Sequence, residues 1–313
     1  MRMTRSSPIF LKAPHYVLGE IDEEHTAISN LPARIAELGI LPKADFWGWG
    51  RIRRTLRSAE SMAIESGAAT LLAAGIDAAS VDALVLCSTR FPEATENHGL
   101  FVQTIMAGIG LCRADFIGLT LNRCANLLAG LQTAEAMVAS GQHRRVLVIT
   151  TDRIADEATR MEKFAVFSDG AASCAVTGEG GGPAGFELVS CAAAHNLAEL
   201  DWASEINSDL SLQVNECLLG PLGMKIGDIS GLMHANIFRP IVVLKEMQAG
   251  FTPAQLYTGN ITRVGHCFAA DPLINLADRV AAGQVQDNRY YMLASSVPGS
   301  RIGVLLRKVA GQP

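Results

Sequence analysis

The sequence predicts a layered α/β protein built from two similar halves. Apolar runs short enough to be strands alternate with Ala- and Gly-rich helical stretches along the chain. The strand runs are almost continuously apolar, as in sheets covered on both faces. One joint of the first half, MVASGQHRRVLVITTD, is matched in the second by RVAAGQVQDNRYYMLASSV, each reading as helix, Gly-Gln, polar turn and strand.

The elements follow in order. SAESMAIESGAATLLAAGI (58–76) reads as a helix stopping at Gly75, and DALVLCST (82–89) as a buried strand. DFIGLTLNRC (115–124) is a second apolar run, followed by a helix over 125–141 that stops at Gly141. Strands are predicted at 144–152 and 171–178, and EGGGPAG (179–185) reads as the joint between halves. In the second half a helix is predicted over 234–250, a strand over 255–261, and a helix over 271–283 with Asp271 as N-cap and Pro272 at the first helical position. Strands at 289–297 and 303–309 close the chain.

Composition narrows the function classes. Of 313 residues, 49% are apolar and 18% charged, which supports a large dry core and argues against disorder. The net charge of −5, with no long basic run, makes nucleic acid a poor partner. No apolar stretch reaches membrane-spanning length and the first twenty residues lack a signal-type apolar region, so a cytoplasmic protein with no membrane partner is expected. The seven cysteines include no Cys-x-x-Cys pair and no two Cys or His at ligand spacing, so the expectation is reduced thiols and no metal.

One cysteine stands apart. Cys124 ends an apolar run and opens a long helix, where the helix dipole and free N–H groups favour the reactive thiolate. Taken alone, a buried structural thiol is the more ordinary reading. Cys112 and Cys267 are rivals without so clear a strand-to-helix junction. His234, in GLMHANIFRP, and His266, in RVGHCFAADP, lie at comparable joints of the second half. A Cys with nearby imidazoles is a way to activate a thiol and manage protons.

At these residues the chain resembles the β-ketoacyl-acyl-carrier-protein synthase III family of the thiolase superfamily. LTLNRCANLLAGLQTAEAMVASG resembles the segment around that family's nucleophile. VFSDGAASCAV resembles its Gly-Asp-Gly-Ala element, with Ser168 in place of the first Gly. HANIFRP resembles its His-x-x-Asn-x-Arg element, with the Asn one place early at Asn236, and SSVPGSRIG resembles its terminal Gly-rich loop. The resemblance implies a thiolase-like α/β fold in an αβαβα layering, with residues 1–180 carrying the nucleophile and 181–313 the histidines.

It also implies Cys124 as acyl acceptor, His234 as base or oxyanion donor, and an oxyanion hole from the N–H groups of Cys124 and Gly299. Arg239 matches a basic position where CoA or a carrier would dock. Where the family has Gly-Asn, this chain has Gly265-His266, which sets it apart; Asn260, in TGNIT, is set aside as that family residue. The segment from Cys124 to His234 is shorter than the family's, and WGWGRIRRT (47–55) only loosely echoes its N-terminal recognition region. Asp271, five residues after His266, is placed to orient an imidazole as a triad acid would, or to act only as helix cap.

Three functions follow. The first is acyl transfer from an acyl-CoA or acyl-carrier-protein thioester, through acyl-Cys124, to a hydroxyl or amine of a small acceptor. The second is decarboxylative Claisen condensation with a malonyl-thioester. The third is a non-catalytic partner subunit of a ketosynthase heterodimer, against which retention of Cys124 and His234 argues. Loss of the Asn favours the first. CoA or phosphopantetheine enters as substrate, no separate cofactor is expected, and a homodimer is implied.

Overall fold

The computed structural model describes residues 7–92, 94–180, 185–201, 204 and 206–311. The first half contains β1 (Phe10–Leu18), a two-stranded ribbon of β2 (Ile21–Glu24) and β3 (Arg51–Arg54) with α1 (Leu31–Leu38) and α2 (Ala44–Trp47) between them, then α3 (Ala59–Ala74), β4 (Ala83–Leu86), α4 (Glu96–Ile109), β5 (Asp115–Gly118), α5 (Asn126–Ala139), β6 (Arg145–Asp152), a small hairpin of β7 (Met161–Glu162) and β8 (Ala165–Val166), and β9 (Gly170–Thr177). The second half contains β10 (Gly185–His195), α6 (Asp209–Leu219), β11 (Ile229–His234), α7 (Arg239–Gln248), α8 (Gly259–Arg263), α9 (Asp271–Ala281), β12 (Tyr290–Val297) and β13 (Ser300–Val309). Of the expected joint at 179–185, residues 181–184 lie outside the described residues.

Nine strands pair in the order β11-β12-β13-β10-β1-β9-β6-β4-β5. The pairing repeats. β4 runs parallel to β6, which is antiparallel to β9, which is antiparallel to β1; β11 runs parallel to β12, which is antiparallel to β13, which is antiparallel to β10. The two series meet where Phe10–Lys12 pairs with Gly185–Glu187. Only β5 lacks a counterpart in the second half among the described residues.

Packing gives five layers. Leu127, Leu128 and Leu131 of α5 and Leu273, Ile274 and Leu276 of α9 share one core with β1, β4, β6, β9, β10 and β13, so these two helices form the middle layer. α3 and α4 cover the outer face of β4 and β6 through Leu71, Phe101 and Ile105. α6 covers β10, β12 and β13 through Val214 and Leu218. β4 and β9 are buried along their whole length, which explains their unbroken apolar reading.

Local signals set both ends of α3. The Ser58 side chain caps α3 by accepting from the Ser61 N–H, and Gly75 ends the helix at φ +66°, a conformation only glycine adopts cheaply.

Four expectations are corrected. The helix read over 234–250 begins only at Arg239, because residues 229–234 are β11 and Phe238 still has an extended ψ of 132°. The strand read over 255–261 is a single bridge between Leu232 and Leu256 followed by α8, because the buried Asn260 side chain must turn to donate to Asn275 and Asp278. Of the run 115–124 only Asp115–Gly118 is strand. Asp271 is the first residue of α9 and not its N-cap, which is Ala270; a 3-10 turn over Phe268–Ala270 already leads into the helix and frees the carboxylate for other partners.

The close fit of the middle layer is testable. A Cβ on Gly130 of α5 would stand 2.2 Å from Cys87 Sγ and 3.3 Å from Val148, whereas one on Gly99 of α4 meets nothing within 4 Å. Gly130→Ala is expected to lower the unfolding free energy by about 1–3 kcal/mol through overpacking. Gly99→Ala should raise it by about 0.5–1 kcal/mol through helix propensity. Urea unfolding of both variants checks this, and equal effects would contradict the packing.

Candidate active site

Cys124 sits in a 3-10 turn, Arg123–Ala125, immediately before α5. The turn is bent by Arg123, whose φ of +52° is unusual for a side-chain-bearing residue. Buried Asn126 ties it down: its Oδ1 accepts from the Asn122 N–H, and its Nδ2 donates to the carbonyls of Ser88 and Thr120. From β12, Ser295 Oγ donates to the Cys124 carbonyl at 3.0 Å.

His266 approaches from the other half. Its Nε2 lies 3.3 Å from Cys124 Sγ, and its Nδ1 lies 2.5 Å from Asp271 Oδ2. The backbone is clamped: the His266 N–H donates to Val166 O and its carbonyl accepts from Ser168 N, while Gly265 reaches this close packing at φ +77°. Asp271 accepts three further hydrogen bonds, from Asn236 N at 2.6 Å, Cys267 N at 2.8 Å and Asn236 Nδ2 at 3.2 Å. That saturates the carboxylate, fixes the proton on Nδ1, and leaves Nε2 facing the thiol. Phe167, Phe268 and Phe164 surround the imidazole, with ring centroids 5.0, 6.0 and 6.3 Å away. Burial disfavours a charged ring here, but Asp271 and then Cys124 outweigh it and push His266 up to about 10.

Both residues open onto a cavity of about 610 Å³. Phe164, Ile206, Ala235, Ile237, Ile241 and Val297 make its apolar wall; Cys124, His266 and Ser296 are polar groups on it, with Glu162, Lys163 and Ser204. Glu162 is paired with Arg34 at 2.8 Å.

His234 is placed differently. Its imidazole does not line the cavity; Ala235 does. Its Nε2 lies 2.7 Å from Lys245 Nζ, and its Nδ1 is 3.0 Å from the Ala235 carbonyl. Burial, then Lys245, lower it to about 4, so the ring is neutral and its 3.1 Å contact with Glu246 is no ion pair. A neutral ring that accepts from Lys245 at Nε2 and donates to a carbonyl at Nδ1 has no nitrogen left for a substrate. Lys245 is lowered to about 7 by burial, while Arg301 and Lys245 hold the buried Glu246 well below the usual carboxylate range against its own desolvation.

The remaining candidates are scattered. Gly299 lies in the turn joining β12 to β13 at φ +65°, where an added Cβ would stand 2.6 Å from the backbone of Glu199 and Leu200. Ser296 and Val297 at the end of β12, with Pro298 of the turn, line the cavity instead. Arg239 donates to Thr262 Oγ1 and to the Asp45 carbonyl, bracing α2 against α8. Asn236 serves Asp271 and accepts from Asn275. In the SDG element, Asp169 accepts from Thr55 N and Ile154 N and pairs with Arg160 at 3.2 Å, while Ser168 Oγ donates to Val264 O. Cys112 is exposed and Cys267 is buried without an imidazole partner among the described residues.

Sequence reasoning did not find Lys245, Glu246, Arg301 or Ser296. Lys and Glu on a helix are ordinarily solvated, and nothing in their residue types marks Lys245 and Glu246 as buried. The one available signal was that both follow the apolar IVVL run of a helix whose other face is needed for packing.

Residues 120–194 match a family model described as 3-oxoacyl-[acyl-carrier-protein (ACP)] synthase III. Proteins named β-ketoacyl-[acyl-carrier-protein] synthase III are similar. That of Solibacter usitatus is 33% identical over 121 residues, 39% of this chain and 33% of that protein. That of Rhodobacter capsulatus is 36% identical over 169 residues, 49% of this chain and 51% of that protein. The matches thus span a third to about half the length of these relatives. Among solved structures, the 3-oxoacyl-[acyl-carrier-protein] synthase III of Aquifex aeolicus VF5 superposes with a TM-score of 0.77 at 16% identity, covering 96% of this chain and 99% of that one. ChlB3, described as an acyltransferase, also gives 0.77 at 16%, covering 97% and 98%. Acetamide-bound OleA of Xanthomonas campestris gives 0.77 at 14%, covering 97% and 100%. At these identities the structural likeness is one of fold. No helix among the described residues is long and apolar enough to cross a membrane.

The His266 contacts carry a pH signature. A ring raised to about 10 in the fold, against about 6.5 unfolded, contributes stability that is full below pH 6.5 and lost as pH rises through about 10. The stability lost in His266→Gln should therefore be largest near pH 6 and shrink toward pH 10. Urea titrations at both pH values measure it; a pH-independent difference would contradict the Asp271–His266–Cys124 arrangement.

Proposed function

We propose that this chain, synthase III-like in sequence over residues 120–194 and in fold over nearly its whole length, takes an acyl group from a thioester onto Cys124 and passes it to a hydroxyl or amine. One observation carries the reading: Cys124, His266 and Asp271 form a single hydrogen-bonded relay whose nucleophilic end faces a mostly apolar cavity. In the first step the proton shared by Cys124 and His266 already rests on the imidazole Nε2, sulfur attacks the thioester carbonyl, and the departing thiolate takes that proton from Nε2. In the second, His266 removes the proton of the acceptor O–H or N–H as it attacks the acyl-enzyme, and returns it to the Cys124 sulfur as the C–S bond breaks. Asp271 steadies the imidazolium between these transfers. The donor is an acyl-CoA or acyl-carrier-protein thioester.

Decarboxylative condensation is the second reading, favoured by the names of the relatives. It needs donors for an enolate oxygen beside the acyl-cysteine. His234 is committed to Lys245, which favours transfer.

Intact mass after incubation with acyl-CoAs and acyl carrier proteins should show an adduct that Cys124→Ala abolishes. His266→Ala should still load Cys124 but release the acyl group about 10²–10⁴-fold more slowly to an acceptor. Carbon dioxide release from malonyl-thioester on turnover would replace this reading with the condensing one.

The assembly we assign is a homodimer. β5 ends the sheet with β4 as its sole strand partner among the described residues, and Phe116 on it is 59% exposed, with Leu121 just beyond at 92%. Light scattering should give a dimer for the wild type and a monomer for Phe116→Asp; a wild-type monomer at micromolar concentration would contradict it.

A further inference from the structure

Behind the cavity lies a polar cluster that the transfer steps do not use. Lys245 Nζ contacts His234 Nε2 at 2.7 Å, Glu246 Oε1 at 2.6 Å and Ser296 Oγ at 2.9 Å, which accounts for all three of its N–H bonds. Arg301 grips both oxygens of Glu246, at 2.6 and 3.1 Å, and its Nη1 donates to Ser296 Oγ at 3.0 Å. Lys245, Glu246 and Arg301 are all buried. Ser296 is the member of the cluster that also lines the cavity.

The valences of Ser296 decide what it does. A hydroxyl has two lone pairs and one hydrogen. Lys245 and Arg301 occupy both lone pairs, so the hydrogen is turned away from them, and among the described residues it has no acceptor. The open direction is the cavity. Two nitrogen donors on its oxygen, one of them the guanidinium of Arg301, polarise the hydroxyl and strengthen it as a donor toward an oxygen gaining negative charge. The position fits as well. Ser296 lines the same cavity as Cys124, while the neighbouring Ser295 side chain, on the other face of β12, bonds the Cys124 carbonyl.

We propose that the Ser296 hydroxyl donates a hydrogen bond to the carbonyl oxygen of the acyl group at Cys124, with Lys245 and Arg301 as positioning residues that hold it in that orientation. This rests on the acyl-transfer reading only for the placement of the carbonyl. The donor itself follows from the filled lone pairs. Ser296 thus supplies oxyanion stabilisation from a side chain of the β12–β13 end.

The test uses two non-transferable probes on the full chain. One is a set of acyl-CoA analogues in which CH₂ replaces the thioester sulfur, keeping the carbonyl oxygen; the other is the matching S-alkyl-CoA thioethers, which lack it. Calorimetry on wild type should show preference for the ketone probes. Ser296→Ala should weaken them about tenfold while changing the thioethers less than about twofold. Ser296→Thr, which keeps the hydroxyl, should retain the ketone preference. Equal losses on both probes, an unchanged ketone affinity in Ser296→Ala, a Ser296→Thr variant as impaired as Ser296→Ala, or a wild type without ketone preference would each overturn the proposal. Loading of Cys124 by true thioesters, read by mass on the same proteins, reports separately on the transfer reading.

Discussion

The Asp271 carboxylate is the contact on which the site depends. It receives His266 Nδ1, two backbone N–H groups and an amide, and so joins three segments distant in the chain: the loop after β11, the turn carrying His266, and the start of α9. A buried carboxylate stripped of water is costly unless its oxygens are fully paired. Here the pairing that satisfies Asp271 is the same pairing that points His266 at Cys124. Stability and orientation are one interaction, so the imidazole needs no other support than this and its aromatic surround.

The layering explains why the two partners meet. The nucleophile precedes α5, and His266 precedes α9, whose first residue is Asp271; these are the two helices of the middle layer. Helix starts in equivalent positions of the two strand series are brought to one place because the series join edge to edge at β1 and β10. Clamping of the His266 turn against residues 166–168 then holds the first half to the second at the site itself.

The His234 cluster shows the opposite use of buried charge. Lys245, Glu246 and Arg301 are expensive to desolvate, and apolar replacements of such buried clusters are often as stable. Its members consume each other's hydrogen-bonding capacity, which removes His234 from proton chemistry, and they leave one group, the Ser296 hydroxyl, with a free valence at the cavity wall. A motif that looks catalytic in sequence is held, in the fold, inside a buried charged cluster.

The sequence by itself determined the layered α/β class, the ends of α3, α5 and α9, and Cys124 as nucleophile candidate, because these rest on local signals: apolar runs, αL glycines at Gly75, Gly141 and Gly283, and a thiol at the start of a long helix. It also placed His266 five residues before Asp271, but left Asp271 between helix cap and orienting acid. Only the tertiary structure shows which groups it holds, since Asp271's partners come from Asn236, 35 residues away, as well as from its own turn. Only the tertiary structure decided between the two histidines. Both occupy similar joints in the chain, and what separates them is which side chains lie opposite: a thiol and a carboxylate for His266, a lysine 11 residues on for His234. Hydrogen-bonding capacity is spent through space, and no periodicity or spacing along the chain records where it goes.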